Sequence, residues 1–378
     1  MTEEFIKLRA KDIEVGKPLK GSVYDSNGTF LVKQGFIIKS EDQLDRLIAR
    51  GAFGKKAELA ADEVDEPTVT PERIKDVSPF KLLENVGNEL TLALTKTDNI
   101  AAEIMELVSD IQQACQRDAH AAIASLFVLE GSSYPIKHSV DVAVLCAILA
   151  KSRALPLAEQ NSLIAASLTM NIAMIELQEE LYRQESPLTA AQKEAIQQHP
   201  KQSVLILRNA GVSDALWLKA VLAHHETITG TGYPNGLTGS QYPKDIQLIS
   251  LADQYCARLS PRAYRDPLLH KGILREILLD QGKTVEQDIA GLFIKELGFY
   301  PPGLLVQLAN TEIGVVTKRG DRPDSPIVHA CSKPQLGNYG APKERNTALE
   351  SFKIRKILAS NDACVTFERR HVWRFNED

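Results

Sequence analysis

The sequence predicts a mainly α-helical protein with a small α+β module at its front and a small β-rich appendage at its end. Three observations predict this. From residue 78 to about 296, apolar residues recur at three- and four-residue spacing, as in LLENVGNELTLALTKTDNIAAEIMELVSDIQQACQ; that is the period of amphipathic helices. Around residues 21–35 and again beyond 298 they alternate instead, as in half-buried strands. Between front module and helices, KAELAADEVDEPTVTPERIK is acidic, holds two prolines and keeps no apolar period, so it reads as a linker.

The elements follow in order. GSVYDSNGTFLVKQG alternates about Asn27-Gly28, a pair that supplies the positive dihedrals of a tight hairpin turn. SEDQLDRLIARG carries a helix start at Ser40, Gln43 three residues on, and a stop at Gly51. The expected organisation is thus a module over 1–55, a linker over 56–77, a helical domain over 78–298 and an appendage over 299–378. Within the domain, helices are expected over 118–129, 136–150, 157–182, 190–209, 214–225 and 245–259. In the tail, GFYPPGLLVQLANTEIGVVTKRG alternates like a hairpin about Asn310-Thr311, and DACVTFERRHVWRF alternates near the end.

Composition bounds the function. The 378 residues leave room for two or three domains, and 44% hydrophobic residues can bury a large core. A net charge of −5 offers no basic face for a nucleic-acid polymer. Cys115, Cys146, Cys256, Cys331 and Cys364 form no CxxC pair, so neither a zinc ribbon nor a disulfide scaffold is indicated. The opening MTEEFIKLRAKD has no apolar run of a signal peptide, and the stretch 140–150 is too short to span a bilayer. A cytoplasmic protein with no membrane partner is the expectation. The long helices over 78–115 leave a homodimer open.

Polar residues that interrupt apolar helices point to the chemistry. His138 opens one helix, His199 precedes Pro200 inside another, His224 and His225 end a third, and Asp253 sits within QLISLADQYCARL. An aspartate inside an apolar helix is costly unless paired or bound to a cation. Imidazole and carboxylate together suit divalent iron, manganese or zinc. His120, His270, His329 and His371 are read as ordinary surface or capping residues.

The order of these segments resembles the HD-GYP domain, a branch of the HD phosphohydrolase superfamily. YPIKHSVDVAVLCAILA is similar to its first histidine helix, and LTAAQKEAIQQHPKQSVLIL to its His-Pro helix. HHETITGTGYPNGLTG resembles the signature loop through Gly232, Tyr233 and Pro234, and ISLADQYCARLSPRAYR the aspartate helix. The resemblance implies an HD-type all-helical fold and metal-dependent hydrolysis of cyclic di-GMP to pGpG and GMP. It also implies His138, His199, His224, His225 and Asp253 as metal ligands, and Arg262, Tyr264 and Arg265 as substrate-binding residues.

The sequence departs from the pattern at its centre. Where the family has its histidine-aspartate pair and a lysine, this chain has Met170, Asn171 and Met174. A thioether is a poor ligand for hard divalent ions, and a neutral amide bridges two dications poorly. Thr229 and Cys256 stand where aspartates are common, and Tyr134 stands where some members place a third-metal glutamate. The expectation is a catalytically impaired or inactive member. It would act by binding cyclic di-GMP or a related nucleotide, or a partner such as a diguanylate cyclase domain protein, with one iron or manganese ion or none. An active phosphodiesterase, and a phosphohydrolase of another nucleotide, remain the alternatives.

Overall fold

A computed structural model of the chain describes residues 78–95, 100–260, 270–333, 337–358 and 367–375. Within the first fifty-five residues it describes 5–9, 12–17, 19, 21–26, 30–32, 36, 38, 41–49 and 52–55. The linker stretch 56–77 lies outside the described residues, as do Arg262, Tyr264 and Arg265. Backbone contacts divide the chain into two units, Met1–Arg73 and Ile74–Asp378.

The first unit holds a four-stranded sheet in the order β1-β4-β2-β3, made of β1 (Phe5–Lys7), β2 (Val23–Tyr24), β3 (Phe30–Val32) and β4 (Phe53–Lys55). β2 and β3 pair antiparallel, as the alternation about Asn27-Gly28 predicts, although residues 27–29 are outside the described set. Helix α1 (Glu41–Ala49) places Leu44 and Leu47 in a small core with Leu19, Val23 and Ile38. Its expected start and stop, Ser40 and Gly51, are also outside the described residues.

The second unit is helical through residue 297. Its helices are α2 (Pro79–Ala93), α3 (Ile100–Arg117), α4 (Ala119–Val128), α5 (Tyr134–Ser152), α6 (Leu157–Thr169), α7 (Ile175–Arg183), α8 (Ala190–Asn209), α9 (Ala215–Ala223), α10 (Lys244–Leu259), α11 (His270–Asp280) and α12 (Gln287–Leu297). Several starts are chemically marked. Ser78 caps α2 ahead of Pro79, Asp118 accepts from the His120 and Ala121 amides, and Asp214 accepts from the Trp217 amide. Thr189 and Gln192 form a reciprocal capping box on α8.

Helix α5 is apolar all round because it is the centre of the unit, packed by α2, α3, α4, α6, α7, α10 and α12. Two buried charge-bearing residues, His138 and Asp141, interrupt it. Asp141 pairs with Lys137 at 2.8 Å, and burial pushes its carboxyl upward. His138 turns to α10 instead.

One expected helix is two. The pattern over 157–182 breaks after Thr169, passes through a 3-10 turn at Ile172–Met174 and resumes as α7. In an unbroken helix the Ala173 amide would bond the Thr169 carbonyl; here it reaches the Ser203 hydroxyl of α8. A tertiary acceptor therefore replaces the local one at this position.

A five-stranded antiparallel sheet follows, in the order β8-β7-β6-β5-β9. Its strands are β5 (Leu305–Leu308), β6 (Ile313–Lys318), β7 (Ile327–Lys333), β8 (Gly337–Asn346) and β9 (Ile354–Ile357). The hairpin about Asn310-Thr311 is present, with Thr311 at a φ of 73°. Pro342 is accommodated because β8 is an edge strand. The terminal alternation misleads in part: Arg369–Trp373 is a short helix, α13, and residues 359–366 are outside the described set. Val372, Trp373 and Phe375 are buried against Phe80, whose ring meets Trp373 edge-on at 5.0 Å. Docking on α2 thus decides the backbone there, over strand propensity. None of the described helices is long and apolar enough to cross a membrane.

Candidate metal centre and adjoining pocket

The residues singled out in the sequence come from five segments and converge. His138 lies on α5, His199 on α8, His224 and His225 just beyond α9, Asp253 on α10, and Asn171 and Met174 in the break between α6 and α7. His199, His224 and His225 each place one ring nitrogen within 4.8 Å of the others. Asp253 joins them to His138: its Oδ1 accepts from His138 Nε2 at 2.8 Å, and its Oδ2 lies 3.9 Å from His225 Nδ1.

The His-Pro pair has a physical role. Pro200 has no amide hydrogen, so the carbonyl of Ile196 loses its usual helical partner. His199 Nδ1 donates to that carbonyl at 2.6 Å. His224 does the same at the end of α9, where Nδ1 donates to the otherwise orphaned Val221 carbonyl at 2.7 Å. A carbonyl only accepts, so both rings carry hydrogen on Nδ1 and expose bare Nε2 atoms. Those two Nε2 atoms face each other at 3.2 Å.

Two facing lone pairs repel unless a cation or proton lies between them. Burial pushes His199 down to about 3 and lowers His224 and His225 as well, so the rings are neutral at ordinary pH. Three neutral imidazoles, two of them with fixed tautomers, fit a divalent metal of borderline preference. Asp253 adds the negative charge. Burial acts to raise its carboxyl, and the His138 hydrogen bond together with the electrostatic attraction of His138, His225 and His224 outweighs this, holding it below the usual carboxylate range.

The same shift gives a pH dependence for the metal-free protein. His199 is held at about 3 when folded against 6.5 for the ordinary value, so folding favours the neutral ring. That stabilisation is complete above 6.5 and is lost as pH falls toward 3. The urea midpoint is expected to drop between about pH 6.5 and about pH 4. A flat midpoint across that window would mean that the rings take up protons as readily folded as unfolded.

The glycine loop is pressed onto the histidines. A Cβ at Gly232 would lie 2.5 Å from Glu226 Cα and 2.5 Å from the His225 carbonyl oxygen, so only glycine fits. Tyr233, joined to Pro234 by a cis bond, stacks on His225 at 4.7 Å and donates its amide to the His225 carbonyl. Glu226 braces the loop. It is 1% exposed, and its two oxygens accept from the Asn235 and Leu237 amides at 2.7 and 2.9 Å. Sequence reasoning passed over Glu226; the available signal was a carboxylate directly after two histidines at the end of an apolar helix.

At the histidine cluster lies a pocket of about 150 Å³, lined by His138, His225, Asp253, Asn171, Met174 and residues of α7, together with Tyr134 and Tyr233. Asn171 is 4% exposed, and its Oδ1 has no hydrogen-bond partner. Met174 lines the pocket too, whereas Met170 is buried in the helical core and is not among the lining residues. Cys256 is buried, and desolvation pushes its thiol well above the ordinary range. Thr229 is exposed, and its hydroxyl donates to the Lys283 carbonyl at 3.2 Å. Five buried side-chain nitrogen or oxygen atoms among the described residues lack a partner. Three of them, His138 Nδ1, Asn171 Oδ1 and Gln178 Oε1, belong to this pocket's lining residues. Buried unpaired polar atoms are rare, and their concentration in one pocket marks it as a place for a ligand.

Comparison with known proteins places the chain. The family model described as HD domain matches residues 102–285. A cyclic di-GMP phosphodiesterase of Pseudomonas aeruginosa is 27% identical over 274 residues, covering 72% of this chain and 64% of that protein. A cyclic di-GMP phosphodiesterase of Borreliella burgdorferi is 24% identical over 237 residues, covering 61% of this chain and 62% of that protein. The chain therefore spans a little under two thirds of the length of these curated relatives. A solved HDG"Y"P protein of Bdellovibrio bacteriovorus shares 14% identity, with a TM-score of 0.49, over 77% of this chain and 99% of that one. On the sequence matches, residues 102–285 carry an HD domain, and the signature loop is similar to that of its HD-GYP branch.

Proposed function

We propose that this chain is a nucleotide-binding member of its branch in bacterial cyclic di-GMP signalling, with its hydrolytic centre impaired. The observation that carries this is Asn171. It stands where a bridging carboxylate is needed, and its neutral Oδ1 lines the pocket without a partner. Two-metal hydrolysis depends on anionic oxygens that hold two dications close together. An amide supplies none of that charge, and Met174 supplies no cation for a phosphate. His199, His224 and His225 would hold a single divalent ion, iron or manganese, with Asp253 beside it. Such an ion, when bound, would attract phosphate oxygens of a nucleotide. The names of the relatives support cyclic di-GMP as the ligand.

The test uses purified full-length protein supplied with manganese or ferrous iron. About one equivalent of metal is expected, as for a three-histidine mononuclear site. Cyclic di-GMP should bind, with no pGpG or GMP formed above background. Two equivalents of metal together with steady turnover would replace this reading by an active binuclear phosphodiesterase.

A further inference from the structure

The pocket holds one group that neither metal ligation nor loop bracing uses. Gln178 is 8% exposed, lines the pocket, and its Oε1 accepts no hydrogen bond. It lies on one face of α7: Gln178, Leu181 and Tyr182 all line the pocket, at the i, i+3, i+4 spacing of a single helical stripe, with Met174 just ahead of the helix. The carboxamide is therefore built into the wall, and leaving its oxygen dry and unpaired is costly unless a ligand supplies the hydrogen.

We infer that Gln178 is a specificity-determining residue whose Oε1 accepts an N–H from the edge of a guanine-type base inserted into this pocket. The inference rests on the nucleotide-binding reading above. Size supports it: a cavity of about 150 Å³ holds one aromatic ring system, and not a whole dinucleotide. The walls support it too. Tyr134 and Tyr182 stack at 4.5 Å with 14° between their planes, and Tyr233 also lines the pocket; aromatic surfaces of this kind take bases by stacking.

Charge decides which part of a nucleotide enters. Among the described residues no lysine or arginine lines the pocket, while Asp253 and the unpaired oxygens of Asn171 and Gln178 make its metal-free walls electronegative. N–H donors are drawn to those two unpaired oxygens. Guanine offers two donors on one edge, N1–H and the 2-amino group, for two unpaired oxygens. Hypoxanthine lacks the amino group. Adenine turns an acceptor, N1, toward one of the oxygens.

The experiment titrates full-length protein with GMP, IMP and AMP by calorimetry, with and without manganese, in wild type, Gln178→Leu and Gln178→Glu. Wild type is expected to bind GMP about tenfold more tightly than IMP or AMP. Gln178→Leu keeps the bulk and removes the acceptor, so GMP should weaken about tenfold while AMP changes little. Gln178→Glu keeps an acceptor oxygen and should retain the preference for GMP. Metal content should be the same in all three proteins. Equal affinity of wild type for the three nucleotides, no binding of any, or a preference that survives Gln178→Leu would overturn the inference. The two readings fail separately. A GMP preference in metal-free protein upholds the base pocket even if no metal centre forms, and bound metal without preference leaves the metal centre standing while the base pocket falls.

Discussion

Pro200→Ala is expected to weaken metal binding about 10- to 100-fold, the range seen when a partner that orients a ligating histidine is lost. The mechanism is a competition for one carbonyl. In this chain Ile196 offers its oxygen to His199 Nδ1, because residue 200 has no amide hydrogen to donate. Alanine restores that hydrogen and the regular bond of α8. The His199 ring then shares its anchor, gains freedom to rotate and gains access to the tautomer that protonates Nε2. A protonated Nε2 cannot ligate. A carbonyl has two lone pairs, so the loss is graded and not total. The helix itself should gain, since an interior proline costs about 3 kcal/mol. Chelator competition reads the metal affinity and thermal unfolding reads the stability. Tighter folding with weaker metal binding is the expected signature; equal metal affinity in the two proteins would remove the carbonyl from the account.

Glu226→Ala is expected to destabilise the protein by about 2–4 kcal/mol, because two backbone N–H groups each lose an acceptor worth about 1–3 kcal/mol, moderated by water reaching the loop. The carboxylate is buried and bonded to Asn235 and Leu237 on the far side of the glycine turn. Without it the loop is held to the histidines chiefly by the Tyr233 contacts. Cyclic di-GMP affinity should fall along with the urea midpoint. Glu226→Gln keeps one carbonyl oxygen and should lie between wild type and Glu226→Ala on both measures. A midpoint unchanged by Glu226→Ala would show that the loop is held by other contacts.

Much of the helical unit was legible because its helices announce their ends. Asp118, Thr189 and Asp214 are all capping residues at the boundaries that the spacing predicts. The five ligand candidates were legible as a set, since four are polar residues in or at the end of apolar stretches and His199 stands in a His-Pro pair. The break at 170–174 was not, because the acceptor that takes the Ala173 amide there is a hydroxyl thirty residues away on α8. The two methionines could not be told apart either. Both read as lost ligands, yet Met170 packs in the core and Met174 faces the pocket. Gln178 carries no local pattern that separates it from an ordinary helix-surface residue.

By itself, then, the sequence determined which residues of the family pattern this protein keeps and which it replaces. Histidines, an aspartate and a glycine loop survive in order, and methionine and asparagine occupy the centre. These are properties of residue types, and they hold wherever the side chains point. Only the tertiary structure decided that two imidazoles face each other through bare nitrogens 3.2 Å apart, and that three unpaired polar atoms belong to the lining of one pocket. Those facts depend on how separate helices and the segments between them meet, and on which backbone carbonyls are left free to hold each ring. No spacing along one chain specifies that meeting; it is set by packing around the buried helix α5.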